Sequence, residues 1–190
     1  LRTFHPEKLI LNDICHEMST CFADLLSDRQ VTFIPGDAEQ LSFPSGQDLI
    51  VSCSALQWFV SPELFFKRCN ALLSGHGYFA FSTFGKENLK EIAAVTGSGL
   101  HYYSLEELKK SLSMHYNIVT AGEERIRLTF ATPLDVLYHL KHTGVTAVCR
   151  QAWTKGDLQE FCDKYAKLFS CGNAVTLTYH PLYIIARKKP

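Results

Sequence analysis

Four short apolar runs, each closed by polar or turn residues, limit what this chain can fold into. They are Lys8 to Asn12, Val31 to Ile34, Asp48 to Ser54 and Tyr78 to Phe84. Runs of that length, rich in branched and aromatic residues, read as strands. Between the first two, Met18, Cys21, Phe22, Leu25 and Leu26 recur at helical spacing and predict a helix over Glu17 to Leu26. After the third, Pro62 stands at a first helical turn with Ser61 as cap, predicting a helix to about Leu73 that "SGHG" would stop. Leu49-Ile50-Val51 is continuous rather than alternating, which suits a strand covered on both faces. This rhythm predicts an α/β fold with a largely parallel sheet.

Beyond Gly85 the rhythm changes. Helices are expected at Glu87 to Val95, Leu105 to Leu112, Pro133 to His142 and Lys155 to Phe169. Ser104 with Glu107, and Thr154 with Asp157, have the spacing of capping boxes. Long strands are expected over Tyr116 to Phe130, with a break at Gly122, and over Val175 to Ala186. Two regions follow: 1–85 as a cofactor-type α/β core, and 86–190 as remaining strands with inserted helices, together one structural domain. Helices inserted between strands often form a lid over a crevice at the carboxyl ends of a sheet.

Nineteen basic and nineteen acidic residues cancel, so there is no electrostatic case for general nucleic-acid binding. Seven cysteines, an odd number, include no Cys-x-x-Cys pair and read as reduced thiols of a cytoplasmic protein rather than a disulfide framework or zinc site. No apolar run approaches the ~18 residues of a membrane helix.

Asp13 and Asp37 each follow an apolar strand. Two readings stand side by side. A carboxylate at a strand end offers two acceptor oxygens, enough for a ribose diol or, at Asp37, an adenine amino group, with the Ala38 N–H left to meet a ring nitrogen. Equally, aspartate favours caps and turns. Gly36, beside Asp37, permits close backbone approach.

The segments "LILNDI", "IPGDAEQLSFP", "DLIVSCSALQWF" and "GYFAFSTFG" resemble the class I S-adenosylmethionine-dependent methyltransferases. "FSTFGKENLKEI", "LKHTGVTAV" and "LTYHPLYIIARKK" are similar, within that class, to the malonyl-[acyl-carrier protein] O-methyltransferases of biotin synthesis. The resemblance covers essentially the whole chain. It implies a Rossmann-like sheet of seven strands, one antiparallel, with a helical lid, and S-adenosylmethionine as cofactor. Asp13 and Ile14 would meet its ribose, Asp37 and Ala38 its adenine, and Cys53 and Ser54 its methionine part. Gln57 and Trp58 match the family's "QW" pair. The substrate would be a malonyl thioester on an acyl carrier protein or coenzyme A. Its carboxylate would be met by some of Trp58, His101, Tyr102, Arg127 and His180, with Arg125 as an alternative to Arg127. Tyr179 and His180 alternate, so only one would face the crevice. Lys109, Lys110, Lys141 and His142 would offer a basic rim to an acidic carrier.

The chain departs from the family pattern twice. The opening strand and glycine-rich loop, E-x-G-x-G-x-G, are not in the sequence, so about 50–60 preceding residues are expected. His101 stands where an arginine is common, which weakens a bidentate grip on a carboxylate. A methyltransferase acting on another small molecule, and an inactive remnant that binds a partner, are the competing readings.

Overall fold

The computed structural model describes residues 6–145 and 153–190, in two compact units divided between Ser45 and Gly46. The change of rhythm at Gly85 falls inside the second unit, which already begins at Gly46.

In the first unit, β1 (Leu9–Asp13) and β2 (Val31–Pro35) pair in parallel, Leu9 against Val31 through Asp13 against Pro35. The connection carries two short helices, α1 (Met18–Cys21) and α2 (Ala23–Leu26), rather than the single helix expected. The break falls at Phe22, whose backbone leaves the helical region with φ −107° and ψ 10°. Thr20 Oγ1 donates back to the Glu17 carbonyl and Ser27 Oγ to that of Asp24, local bonds that compete with a continuous helix. The Phe22 ring instead meets Phe33 of β2 at 5.9 Å.

The second unit contains β3 (Gln47–Cys53), a 3-10 turn (Leu56–Trp58), α3 (Pro62–Leu72), β4 (Leu73–Phe84), α4 (Lys90–Thr96), α5 (Leu105–Leu112) and β5 (Tyr116–Glu123). It continues with β6 (Ile126–Phe130), α6 (Pro133–His142), α7 (Lys155–Phe169), β7 (Ser170–Cys171), β8 (Ala174–Tyr179) and β9 (Pro181–Lys188). One sheet has the order β3-β4-β9-β5, with β3 and β4 parallel and β9 antiparallel to both its neighbours. That is the one antiparallel strand expected. The seven strands are not one ladder among the described residues, because β1-β2 and β3-β4-β9-β5 hydrogen-bond as separate sets. A third, antiparallel set has the order β6-β8-β7.

Two cores result. Phe66, Cys69, Phe79, Phe81, Leu108, Leu112, Tyr116, Leu182 and Ile184 bury α3 and α5 against the four-stranded sheet. Leu89, Ile92, Val136, Leu140, Phe161, Tyr165, Val175 and Leu177 bury α4, α6 and α7 against the smaller one.

Three local expectations are corrected. "SGHG" does follow the end of α3, but it lies within β4 and not between two elements: Leu73 takes extended angles directly after the helix. Those four residues fall in the register shift between the pairs Gln47–Leu73 and Leu49–Tyr78, and a side chain at Gly77 would sit 2.9 Å from the Gln47 carbonyl oxygen. Ser61 gives α3 no side-chain cap. Both long strands break, and not at Gly122, which stays paired with Tyr183. The β5/β9 ladder ends at Glu123 opposite Leu182, and the β6/β8 ladder starts at Ile126 opposite Tyr179. Two strands therefore leave one sheet and enter the other at a shared corner, with Arg125 in the loop between β5 and β6 and His180 between β8 and β9. Arg125 and Arg127 accordingly do not share a strand face.

Candidate functional site

In the first unit, parallel pairing sets the carboxyl ends of β1 and β2 level, and the Gly36 N–H donates to the Asp13 carbonyl at 2.9 Å. Asn12 locks the two ends together: its Nδ2 donates to Ile34 O at 2.7 Å and to Gly36 O at 3.0 Å. Asp13 Oδ1 accepts from the Cys15 N–H at 2.8 Å, and Asp37 Oδ1 accepts from the Glu39 N–H, also at 2.8 Å. Both acids thus brace turns, as aspartates at such positions do. Each uses one oxygen for this. Oδ2 of each has no hydrogen-bond partner among the described residues. Gly36 has φ +131°, in the region that favours glycine, and a Cβ there would press on Leu41 at 3.2 Å. Ile14 is 76% exposed directly after Asp13. Asn12 went unrecognised in the sequence; its signal was an amide immediately before the acid at a strand end.

In the second unit, β3 ends at Cys53, which is exposed, and the chain turns sharply at Ser54, with φ +50°. A non-glycine residue in this region costs on the order of 1–3 kcal/mol and persists only where its surroundings impose it. Here they do: the Ser54 N–H donates to Ser82 O at 3.0 Å and to Ser82 Oγ at 3.2 Å. The Ser54 carbonyl accepts from Gln57 Nε2, and Gln57 Oε1 accepts from Thr83 Oγ1 at 3.2 Å.

A small, mostly apolar cleft lies beside this clamp, lined by Leu56, Gln57, Pro62, Thr83, Phe84, His101, Tyr102, Tyr103 and Leu108. It brings together two of the substrate residues expected from sequence, His101 and Tyr102. Trp58 is 47% exposed and is not among the lining residues. The exposed His101 ring meets the edge of Tyr103 at 5.0 Å. Burial pushes the Tyr102 phenol up from its ordinary range, and burial followed by the Glu63 and Glu107 carboxylates does the same to Tyr103.

The remaining expected residues lie elsewhere. Arg127 is exposed on β6, opposite Thr178, with no ion pair among the described residues. Arg125 is neutralised: its Nε donates to Glu87 Oε1 at 2.5 Å and its Nη1 to Glu123 Oε1 at 3.0 Å. Arg125 and Lys90 together hold the Glu87 carboxyl down to about 2. His180 is 3% exposed and both ring nitrogens are occupied. Nδ1 accepts from the Glu87 N–H at 3.1 Å, which places the ring proton on Nε2, 3.1 Å from Glu123 Oε2. His180 is therefore a structural residue of the corner and has no ring nitrogen left for a carboxylate. Tyr179 is half-buried and its hydroxyl lies 2.9 Å from His139 Nε2. Of the expected rim, Lys109 pairs with Glu106 at 2.9 Å, and His142 Nδ1 lies 2.7 Å from the Tyr138 carbonyl oxygen.

Residues 1–81 match the model of a methyltransferase domain. A solved putative methyltransferase of Bacillus halodurans is 16% identical, with a TM-score of 0.67 over 96% of this chain and 84% of that one. The N-methyltransferase NodS of Bradyrhizobium japonicum, solved with S-adenosyl-L-homocysteine, is 13% identical, with a TM-score of 0.54 over 98% of this chain and 69% of that one. The fold is that of a class I methyltransferase.

Among sequences, the malonyl-[acyl-carrier protein] O-methyltransferase of Bacteroides thetaiotaomicron is 56% identical across all of this chain and 76% of its own length. That of Bacteroides fragilis is 57% identical across all of this chain but only 39% of a longer protein. The chain belongs to the malonyl-[acyl-carrier protein] O-methyltransferase family.

Proposed function

We propose that the protein binds S-adenosylmethionine and transfers its methyl group to the free carboxylate of a malonyl thioester carried on an acyl carrier protein, a step toward biotin. The observation that carries this reading is full-chain similarity above half identity to enzymes of that name. The strand ends support it: Asp13 and Asp37 each keep one carboxylate oxygen available for hydroxyl or amino donors. Asp13 with Ile14 would hold the ribose, Asp37 with Ala38 the adenine, and Cys53 with Ser54 the methionine part. When bound, this cofactor supplies an electrophilic methyl on a sulfonium; the O–CH3 bond forms as the S–CH3 bond breaks, and the electron pair stays on sulfur.

The chain's own task is alignment. A malonyl carboxylate is already ionised near neutral pH, so no general base is required. A mostly apolar cleft favours a reaction that merges opposite charges, and fixed geometry contributes the rest. We place the substrate carboxylate at the cleft with His101 and Tyr102, keep Trp58 and Arg127 as contacts outside it, and give His180 the supporting role its bonds impose. Lys110 and Lys141 are the rim cations for an acidic carrier, whose binding should weaken with salt. The six described cysteines are free thiols, which supports a reducing cytoplasm.

The test supplies the full-length protein with labelled cofactor and malonyl-carrier protein, malonyl-coenzyme A or free malonate. Methyl ester formed on the carrier thioester ahead of the other two is expected. Equal indifference to all three removes the malonyl assignment. Calorimetry of cofactor binding should lose at least tenfold in affinity for Asp13→Ala, since a hydrogen-bonded charged acceptor is worth about 1.5–3 kcal/mol. An unchanged affinity removes Asp13 from the site.

A further inference from the structure

Among the buried polar side chains that the mechanism above does not use is Asn88. Asn88 follows β4 and is 5% exposed. Its amide orientation is not ambiguous, as asparagine orientations often are. The His180 N–H, at the corner where β8 becomes β9, has to donate, and Asn88 Oδ1 accepts it at 3.2 Å. Nδ2 is then the atom facing Tyr102, and it donates to the Tyr102 hydroxyl oxygen at 3.1 Å.

The segment carrying Asn88 is held rigidly. Leu89, the next residue, has φ +52°, a costly value for leucine. It is kept there by its N–H, which donates to Thr178 O at 2.8 Å. Thr178 is fixed in turn by Glu91, whose Oε2 accepts its N–H at 3.0 Å and whose Oε1 accepts its hydroxyl at 2.5 Å. Strain imposed by a bonded frame is characteristic of segments that present a functional group.

The direction of the Asn88–Tyr102 bond decides what Tyr102 can do. A phenol that accepts through its oxygen retains its proton for another acceptor. Among the described residues Tyr102 has none. Burial keeps that proton on the oxygen. Apart from His101, which the proposed function already places beside the carboxylate, the other polar groups on the cleft wall are less suited to an anion. Gln57 and Thr83 bond to each other, and after burial the negative Glu63 and Glu107 carboxylates act on the Tyr103 phenol.

We propose that Asn88 is a positioning residue: it turns the Tyr102 hydroxyl proton into the cleft, where it donates to one oxygen of the malonyl carboxylate and leaves the other to take the methyl group. The Tyr102 proton is shared in this contact and not transferred, so the balance of the methyl transfer is unchanged. This inference rests on the substrate reading given above.

The experiment measures kcat and KM for the malonyl-carrier substrate, and cofactor affinity, on the full-length protein. The variants are Tyr102→Phe, Asn88→Ala, Asn88→Asp and the double variant Asn88→Ala/Tyr102→Phe. Tyr102→Phe and Asn88→Ala should each raise KM about tenfold, the loss of one hydrogen bond to a charged group, with cofactor affinity unmoved. In the Tyr102→Phe background Asn88→Ala should add no further rise, because no proton remains to be aimed. Asn88→Asp retains an acceptor for the His180 N–H, and so the fold, but faces Tyr102 with an acceptor; its KM should rise at least as far. An unchanged KM for Tyr102→Phe overturns the inference even if the Asn88 variants do not fold. A full Asn88→Ala effect in the Tyr102→Phe background overturns it too, leaving Asn88 a structural role alone. A wild type that methylates no malonyl thioester removes the substrate reading and this inference with it, whereas an active wild type with insensitive variants removes the inference only.

Discussion

Gly85→Ala tests the corner on which the cleft depends. A Cβ at Gly85 would lie 2.6 Å from His180 Cε1 and 2.7 Å from Nδ1. Unstrained carbon contacts fall near 3.5–4.0 Å, so the ring must retreat by about 1 Å. It has no slack, being 3% exposed and bonded at both nitrogens at 3.1 Å. A retreat of that size stretches one bond beyond the hydrogen-bonding range. Overpacking costs about 1–3 kcal/mol and a buried ring nitrogen without a partner adds about 1–3 kcal/mol, so a loss of about 2–6 kcal/mol is expected. Urea unfolding of the full-length protein measures it as a lowered midpoint. Gly75→Ala is the control: nothing lies within 4 Å of a Cβ there, and the change should stay within about 0.5 kcal/mol. In a His180→Ala background, Gly85→Ala should cost little, since the obstructing ring is gone. Equal midpoints for Gly85→Ala and Gly75→Ala in the wild-type background would refute the packing argument.

Three further outcomes follow from the same geometry. Arg125 first and Lys90 second hold Glu87 down to about 2, while Lys86 first and Ser104 next do the same to Glu107. A carboxyl lowered in the folded state contributes stability in full above its unfolded value near 4.5 and loses it as pH falls through about 2. Melting temperature should therefore drop between pH 4.5 and 2 less steeply for Glu87→Gln or Glu107→Gln than for the wild type, and parallel curves would remove those ion pairs as acid-sensitive contacts. At Ser54, with φ +50°, replacement by glycine should hold or raise stability by up to about 1 kcal/mol, while Ser54→Val should cost about 2 kcal/mol, both read by urea unfolding. Thr154→Ala removes the hydroxyl that accepts from the Asp157 N–H and should cost α7 about 1 kcal/mol, seen as a lower unfolding midpoint.

Legibility in the sequence followed the range of the deciding interaction. The bounds of α5, α6 and α7 stand at the residues the sequence predicted, because their caps act over three residues: Ser104 with Glu107, Thr132 with Asp135, Thr154 with Asp157. Where a partner far along the chain decides, local signals misled. "SGHG" reads as a turn between elements, but Leu73 before it pairs with Gln47 and Tyr78 after it with Leu49, which makes it an irregularity inside β4. The segments 116–130 and 175–186 each read as one strand, because nothing within them states that β5 pairs with β9 and β6 with β8. Asn88 passed for an ordinary residue of the helix expected over Glu87 to Val95, since its partners, Tyr102 and His180, lie 14 and 92 residues away. The bonds of His180 are hidden for the same reason: a histidine beside a strand does not reveal that an N–H from Glu87 and a carboxylate from Glu123 occupy its ring.

Asp13 and Asp37 show why two opposed readings of one residue need not exclude each other. From sequence, each acid was either a turn former or a ligand acceptor. The turn takes a single oxygen, Oδ1 in both cases, at 2.8 Å. Carboxylate oxygens offer about four acceptor sites between them, so the bond that orients the group consumes a minority of its capacity. It also removes the rotational freedom that a ligand would otherwise have to quench, which preorganises the remaining oxygen. The Asx-type bond is thus the support a ribose or adenine contact requires. Swapping Asp13 for asparagine separates the two roles. Oδ1 can still accept the Cys15 N–H, so folding should persist, but the second position becomes a donor and should repel a hydroxyl proton. A stable Asp13→Asn variant with weakened cofactor binding is the expected result, and one that binds as the wild type does would leave Asp13 with the turn alone.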